Sequence, residues 1–314
     1  MVHLFSTQTV RKTKGRLNKF KRKHTMEKIL IPTDFSENSE NTIHYGARLA
    51  RDLHKGIELI HAIDLYEYDM NYSLSDDVMA PHISTDMLQF RRETAETSLE
   101  KMKNNLKRQY PDLPLVDYKI QDGIVPKIIA ERAKAKDIQM ILLTGRGEDD
   151  LISKLISDSN YRIVEEADCP VWLIPPKADY KSLKKIIYAT DYQEEDIYTL
   201  QRLSKLAEIY RSEIYALHIV KNEDFNVKVK QTGFQNLVRE KVGYNPIHVM
   251  VTMSYNNFEK IDEVAHEIGA DLIVTLKENK GFLQKIFSPD VTRKLILHTD
   301  LPVLVYHESN NIEK

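Results

Sequence analysis

An internal repeat constrains the fold of this chain more than any other feature of its sequence. Residues 28–63 align without a gap on residues 185–220, and ten of the 36 aligned pairs are identical. The far ends match as well, since residues 169–174 align on residues 301–306. Self-similarity of this kind indicates a duplicated structural unit. We therefore predict two similar domains, separated by the polar stretch 175–184 that opens with two prolines.

Each copy alternates short apolar runs with helical patterns. Strands that alternate with helices indicate right-handed crossovers and a parallel sheet with helices on both faces. The predicted strands are 28–32, 57–63, 116–120, 140–143 and 171–174 in the first copy, and 185–189, 214–220, 247–253, 272–275 and 303–306 in the second. The predicted helices of the first copy follow an N-cap at Ser36 or Ser39, span 85–109, run from Pro126 to about Lys136, and span 159–167.

This pattern sets the predicted domain boundaries. We expect a basic extension at 1–25, a first domain at 26–175, a linker at 176–184, a second domain at 185–308 and a tail at 309–314.

The extension 1–25 contains eight Lys or Arg residues and no Asp or Glu. The favoured interpretation is a disordered tail, or an upstream start with Met26 as the true first residue. A tail that binds nucleic acid or an anionic membrane and a transit peptide are the alternatives. We exclude the segment from the fold prediction, and we expect no other nucleic-acid or membrane contact.

Composition narrows the function classes. Hydrophobic residues make up 42% and charged residues 29% of the chain, which is typical of a soluble globular protein. The single cysteine, Cys169, excludes an internal disulfide framework and suits a reducing cytoplasm.

No phosphate-binding loop of the NTPase type, catalytic carboxylate pair or Ser-His-Asp set is evident in the sequence. The histidines show no ligand spacing with Cys, Asp or Glu. We therefore expect neither catalytic residues nor a metal site.

Open parallel sheets bind ligands beyond the carboxyl ends of their strands, where the strand order reverses. Two loops of the first copy therefore hold the candidate binding residues. The loop after the first strand contains residues 33–36 and is echoed by 190–193 in the second copy. The loop after the fourth strand contains residues 144–147, and its counterpart is 276–279.

Three motifs resemble those of the universal stress protein family: Lys-Ile-Leu-Ile-Pro-Thr-Asp-Phe-Ser at 28–36, Leu-Ile-His-Ala-Ile-Asp at 59–64 and Cys-Pro-Val-Trp-Leu-Ile at 169–174. The resemblance covers both copies and is weaker in the second. It implies an α/β fold of two tandem flavodoxin-like or Rossmann-like domains, each an open five-stranded parallel sheet. It also implies pairing through the last strands as an intramolecular pseudo-dimer, with a homodimer of whole chains left open.

Some members of that family bind ATP through a Gly-x2-Gly-x9-Gly-Ser/Thr loop, whose glycines let backbone amides approach the phosphates. Only one glycine survives at the six equivalent glycine positions. A carboxylate at a helix N-terminus would occupy the amides that a phosphate needs and would repel the triphosphate. We therefore predict that neither copy binds ATP tightly. The four motif positions are Thr144, Gly147, Ser157 and Asp158 in the first copy, and Leu276, Asn279, Pro289 and Asp290 in the second.

A weak ATP or AMP site in the first copy remains the alternative. Arg146 could contact a phosphate, Gly145 permits a shifted loop, and the resemblance places a nucleoside beside Asp34, Ser36 and the Ala62 backbone. The candidate binding residues are Thr33, Asp34, Ser36, Ala62, Gly145, Arg146 and Gly147. For Asp34 an ordinary turn-ordering role is equally compatible, and for Asp191 it is favoured.

Other residues have both a functional and a structural interpretation. We interpret His61 and His218 as structural strand histidines rather than catalytic ones, and Cys169 as a buried thiol. Trp172 fits either the interface between the copies or the ordinary core, and segment 64–84 fits either a docking loop or a plain surface loop. The favoured function is a non-enzymatic stress-response protein that acts through unidentified protein partners. A nucleotide sensor and a nucleotide hydrolase are the alternatives.

Overall fold

A computed structural model of the chain describes residues 26–64, 85–145, 151–277 and 299–308, with only the backbone described for 151–158. The predictions for the extension 1–25, for most of segment 64–84, for Arg146 and Gly147, for 278–298 and for the tail 309–314 therefore lie outside the described residues.

One ten-stranded sheet runs through both halves of the protein, in the order β3-β2-β1-β4-β5-β10-β9-β6-β7-β8. All neighbouring strands are parallel except β5 and β10, which are antiparallel. The strands are β1 Lys28–Pro32, β2 Gly56–Ile63, β3 Val116–Asp122, β4 Ile138–Thr144, β5 Val171–Ile174, β6 Lys185–Ala189, β7 Glu213–Val220, β8 Ile247–Met253, β9 Leu272–Lys277 and β10 Val303–His307.

Each half is therefore an open five-stranded parallel sheet, and the predicted strands are confirmed with small shifts at their ends. The order 3-2-1-4-5 is the Rossmann-like order rather than the 2-1-3-4-5 order of flavodoxin. The strand order reverses between β1 and β4 in the first domain and between β6 and β9 in the second. Ligand sites are expected at these two points.

Helices cover both faces of the sheet. Those in the described residues are α1 Glu37–Asp52, α2 Thr85–Gln109, α3 Val125–Ala133, α4 Leu151–Glu166, α5 Glu194–Tyr210, α6 Phe225–Lys241 and α7 Asn257–Ile268. None of them combines the length and the apolar character needed to cross a membrane.

The predicted helix at 159–167 is present, but the prediction that Asp158 stands at its N-terminus is wrong. Helix α4 begins at Leu151, so Asp158 lies in the helix interior, where backbone amides bond to carbonyls one turn earlier. The physical reason is the spacing of Leu151, Ile152, Leu155 and Ile156, which continues the apolar pattern of a helix toward the N-terminus. Self-capping by Asp158 cannot block a phosphate site in the first domain.

The two halves join through their last strands, as the family resemblance implies. Trp172 of β5 lies opposite Leu304 of β10, and both side chains are buried. Trp172 belongs to a core cluster that contains residues of both domains, including Ile31 and Tyr188. The interface and the core interpretations of Trp172 are therefore both correct, because the interface is part of one continuous core.

Side chains from the linker and from β10 also connect the halves. Tyr180 of the linker donates its hydroxyl to Asp52 Oδ2 of the first domain at 2.5 Å and lies 2.6 Å from the Tyr210 hydroxyl of the second. His307 of β10 bonds through Nε2 to the Val164 carbonyl of α4 at 2.7 Å.

Candidate ligand cleft of the first domain

A cleft of about 1740 Å³ opens at the carboxyl ends of β1, β2 and β4 and continues past the linker to the amino ends of β9 and β10. It lies at the point where the strand order of the first domain reverses, as expected for a ligand site. The cleft brings together all the described candidate residues: Thr33, Asp34, Ser36, Ala62 and Gly145. Arg146 and Gly147 lie outside the described residues.

The loop after β1 is ordered by its own polar groups. The Thr33 amide donates to the Ile60 carbonyl at 2.9 Å, which ties the loop to β2. Phe35 has a positive φ of 65°, and its amide donates to Thr33 Oγ1 at 3.1 Å. Ser36 caps α1, because its Oγ accepts the Ser39 amide at 3.2 Å. The chain therefore turns from strand into helix within four residues, which fixes where Asp34 points.

Asp34 is an exposed carboxylate in this loop. Its Oδ1 accepts from the Ser36 hydroxyl at 2.6 Å and from the Ser36 amide at 3.0 Å. Desolvation opposes the charged form, but these hydrogen bonds outweigh it, so the pKa of Asp34 lies below its ordinary value. Asp34 orders the turn and still exposes its carboxylate, so its two interpretations are compatible.

His61 and His218 are held in the same way in the two domains. Their Nδ1 atoms lie 2.8 Å from the carbonyl oxygens of Thr33 and Thr190. Because a carbonyl can only accept, Nδ1 carries the hydrogen in both rings. Each ring also packs against the aromatic side chain of its neighbouring loop at a centroid distance of 4.5 Å. These contacts favour the structural interpretation of both histidines.

Gly145 is needed for a close approach of two chain segments. Its amide donates to the Ile174 carbonyl at 2.6 Å, so that amide is already used within the protein. A Cβ at this position would lie 3.0 Å from the same carbonyl oxygen and 3.2 Å from Pro175 Cα. Asn160 of α4 donates to the Thr144 carbonyl at 2.7 Å and fixes the end of β4. The sequence indicated neither the role of Asn160 nor this use of Gly145, because both depend on contacts distant in the chain.

The equivalent loop of the second domain is covered by α6. Tyr192, the counterpart of Phe35, is buried and stacks on Phe234 at a centroid distance of 4.5 Å. Its hydroxyl donates to the Met250 carbonyl at 2.7 Å. Lys230 donates to the backbone carbonyl of Asp191 at 3.2 Å. The sequence shows an aromatic residue at this loop position in both domains, but it does not show which one a helix covers.

A buried carboxylate orders the second loop where the first uses a hydroxyl. Asp196 stands at the position equivalent to Ser39, and it accepts from the Gln193 amide at 2.8 Å and from the Tyr188 hydroxyl. Burial raises the pKa of Asp196 against the opposing effect of these hydrogen bonds. The Asp196 carboxylate thus holds the second loop against the start of its helix through bonds made within the protein.

A second set of charged residues lies at the opposite end of the first domain. Arg132 bonds to buried Glu58 at 2.5 and 2.8 Å and to Asp137 at 2.7 and 2.9 Å, and Lys28 reaches Glu58 at 2.8 Å. The hydrogen bonds from Arg132 lower the pKa of Asp137 to about 2. These residues lie at the amino ends of the strands, away from the cleft, and act as a structural network. No local sequence pattern indicates this network, because its members are up to 109 positions apart.

Asp262, His266 and Asp300 also come together, with ligand atoms within 4.8 Å of one another. His266 stands in the last turn of α7 and bonds to Asp300 Oδ1 at 3.0 Å. Its bond to the Asp262 carbonyl and the two carboxylates raise the pKa of His266. A cation paired with acids at a helix C-terminus explains this group without a metal.

Cys169 is buried beside β5, and desolvation raises the pKa of its thiol to about 12. A thiol with so little thiolate character is a structural residue.

Comparison with known proteins supports the same assignment for both halves. The model of the universal stress protein family matches residues 25–175 and 182–307. This chain belongs to the universal stress protein family. A universal stress protein of Methanocaldococcus jannaschii is 24% identical over 155 residues, which cover 48% of this chain and 96% of that protein.

Solved universal stress protein structures share the tandem fold. One from Archaeoglobus fulgidus superposes with a TM-score of 0.67 at 17% identity and covers 90% of this chain and 97% of its own. A second, from Pseudomonas aeruginosa, has a TM-score of 0.53 at 14% identity and covers 91% and 94%. Both span the two universal stress protein domains, which supports the tandem architecture as a fold.

Proposed function

We propose that this universal stress protein is a non-enzymatic, cytoplasmic stress-response protein that acts through protein interactions, with two degenerate nucleotide sites. The proposal rests on one observation: groups that a phosphate or nucleoside would need already bond or pack within the protein. In the first domain the Gly145 amide bonds to the Ile174 carbonyl. In the second, Tyr192 and Asp191 lie beneath α6.

Helix α4 strengthens the argument for the first domain. The motif positions Ser157 and Asp158 lie within this helix, which begins at Leu151. Amides in a helix interior already donate to carbonyls four residues earlier, so they are unavailable to phosphate oxygens. The helical hydrogen bonds of these amides, rather than the predicted self-capping by Asp158, therefore limit phosphate binding in the first domain.

Titration calorimetry of the full chain with ATP, with and without magnesium, tests the proposal. We expect binding weaker than about 100 µM, which corresponds to less than about 5.5 kcal/mol of binding free energy. Saturable binding tighter than this limit, or turnover of ATP above the buffer rate, would overturn the proposal.

A weak sensor of AMP or ATP in the first domain is the second candidate. The exposed Asp34 carboxylate favours it, because this carboxylate faces an open cleft beside the half-buried Ala62. Since few phosphate contacts are available, AMP and ATP should bind this cleft with affinities within about tenfold of each other, or about 1.4 kcal/mol.

A further inference from the structure

The two outer edges of the ten-stranded sheet differ in charge. The edge strand of the first domain, β3, contains Asp117, Lys119 and Asp122. The edge strand of the second domain, β8, has the sequence Ile-His-Val-Met-Val-Thr-Met, with no Asp, Glu, Lys, Arg or Pro. Charged residues and prolines are the usual means by which edge strands avoid pairing with another chain. The edge formed by β8 has neither.

Two hydrogen bonds show which groups of β8 face outward. The Pro246 carbonyl accepts from the Ile214 amide at 3.2 Å, and the Ser254 amide donates to the Val220 carbonyl at 2.9 Å. Even-numbered residues of this segment therefore bond to β7, and the backbone groups of the odd-numbered residues face away from it. In the part of the chain that the structure describes, no strand pairs with that outer side.

A side chain of α6 reaches this outer edge. Gln231 of α6 donates to the Val249 carbonyl at a distance of 3.3 Å. A carbonyl oxygen has two lone pairs, so Val249 can accept a second hydrogen bond from another strand. The edge remains competent to pair.

The end of β8 exposes apolar surface. Met253 is 58% exposed, and Tyr255 just beyond the strand is 82% exposed. Val249 and Val251 pack against the core cluster on the α6 side, and strand alternation places Met253 on the same face. A partner strand along β8 would cover this methionine.

We propose that β8 pairs with β8 of a second copy of this chain, antiparallel and about a two-fold axis at Met250. In this register Val249 lies opposite Val251 of the second copy, Ile247 opposite Met253, and His248 opposite Thr252. Every facing pair is apolar or uncharged, as a self-complementary interface requires. The same register on β3 would place Lys119 opposite Lys119 of the second copy.

The protein already joins two sheets in this way. Strands β5 and β10 pair antiparallel and merge the sheets of the two domains into one. Pairing through β8 repeats that geometry between chains. It gives a closed dimer, because the β8 edges of both copies are paired with each other about the two-fold axis.

Sedimentation velocity of the full chain over a concentration series, without nucleotide, tests the proposal. The wild-type protein should show a dimer fraction that rises with concentration. Two double variants then test the register: His248→Lys with Thr252→Lys, and His248→Lys with Thr252→Glu. Both variants have the same lysine at position 248, where His248 Nε2 of the wild type approaches Glu213 at 3.3 Å, so they differ only at position 252.

The lysine pair places like charges opposite each other twice per dimer, and the lysine–glutamate pair places opposite charges there. We expect the dimer Kd of the two variants to differ by about tenfold or more, with the lysine pair weaker. Lys119→Thr on β3 should leave dimerisation unchanged. Thermal unfolding checks that both variants are folded, and exposed Met253→Lys provides a further variant that should weaken the dimer.

A wild-type protein that stays monomeric throughout the series would overturn the proposal, as would equal dimerisation of the two double variants. Because no nucleotide is present, either result leaves the proposed function to its own titration.

Discussion

Tyr192 of the second domain stacks on Phe234 of α6, with ring centroids 4.5 Å apart and an interplanar angle of 24°. Its counterpart in the first domain, Phe35, is only half-buried and lines the open cleft. The duplicated loop is thus covered in one domain and accessible in the other. The two halves share a scaffold but differ in the exposure of this loop.

Phe234→Ala should lower the free energy of unfolding by about 3–5 kcal/mol, because it removes a buried aromatic side chain and its contact with Tyr192. Urea denaturation measures the change. Phe90→Ala provides the control, since Phe90 is 68% exposed on α2 and should shift stability by less than about 0.5 kcal/mol. A loss no larger than that of the control would show that the rings do not support the second domain.

Gly145→Ala and Gly233→Ala should change stability in opposite directions. A Cβ at Gly145 meets the Ile174 carbonyl oxygen at 3.0 Å, whereas a Cβ at Gly233 meets nothing within 4 Å. We expect a loss of about 1–3 kcal/mol for the first variant and a gain of about 0.5–1 kcal/mol for the second, because alanine is a better helix former in α6. Thermal and urea unfolding of both variants measure the difference, and a neutral Gly145→Ala would contradict the close approach.

Stability should fall on acidification through the charged network at the amino ends of the strands. Hydrogen bonds from Arg132 lower the pKa of Asp137 to about 2 in the folded state, whereas an unfolded Asp titrates near about 3.9. The stabilisation is therefore complete above the unfolded pKa and is lost as pH falls from about 4 toward 2.

Asp137→Asn should remove this contribution. The stability difference between wild type and variant should be largest near pH 6 and should shrink below pH 4, as measured by urea unfolding at each pH. Glu131→Gln serves as the control, because Glu131 is exposed and forms a surface ion pair with Lys134. A difference that stays constant with pH would exclude the proposed ionic role of Asp137.

Much of the fold could be predicted from the sequence, because local patterns encode it. Strand β1 and helix α2 have the predicted bounds. The pairing of the last strands at the centre was implied by the family resemblance. The predicted start of α4 was wrong because Asp158 resembled a helix cap. The apolar spacing before Asp158 extends the helix to Leu151.

The sites were harder to predict because they depend on contacts distant in the chain. The loop 33–36 was located from the strand order, and the described candidates do line one cleft. No local sequence pattern indicates three of the tertiary contacts: Phe234 with Tyr192, Ile174 with Gly145, and Glu58 with Arg132.

Photolabelling with 8-azido-AMP at millimolar concentration, followed by peptide mapping, tests the asymmetry of the two halves most directly. We predict that the label maps to the first-domain peptides around 32–36 and 60–64, that Asp34→Ala reduces it, and that Asp191→Ala does not. Labelling of the second-domain loop 190–193, or labelling that depends on Asp191 rather than Asp34, would contradict the account.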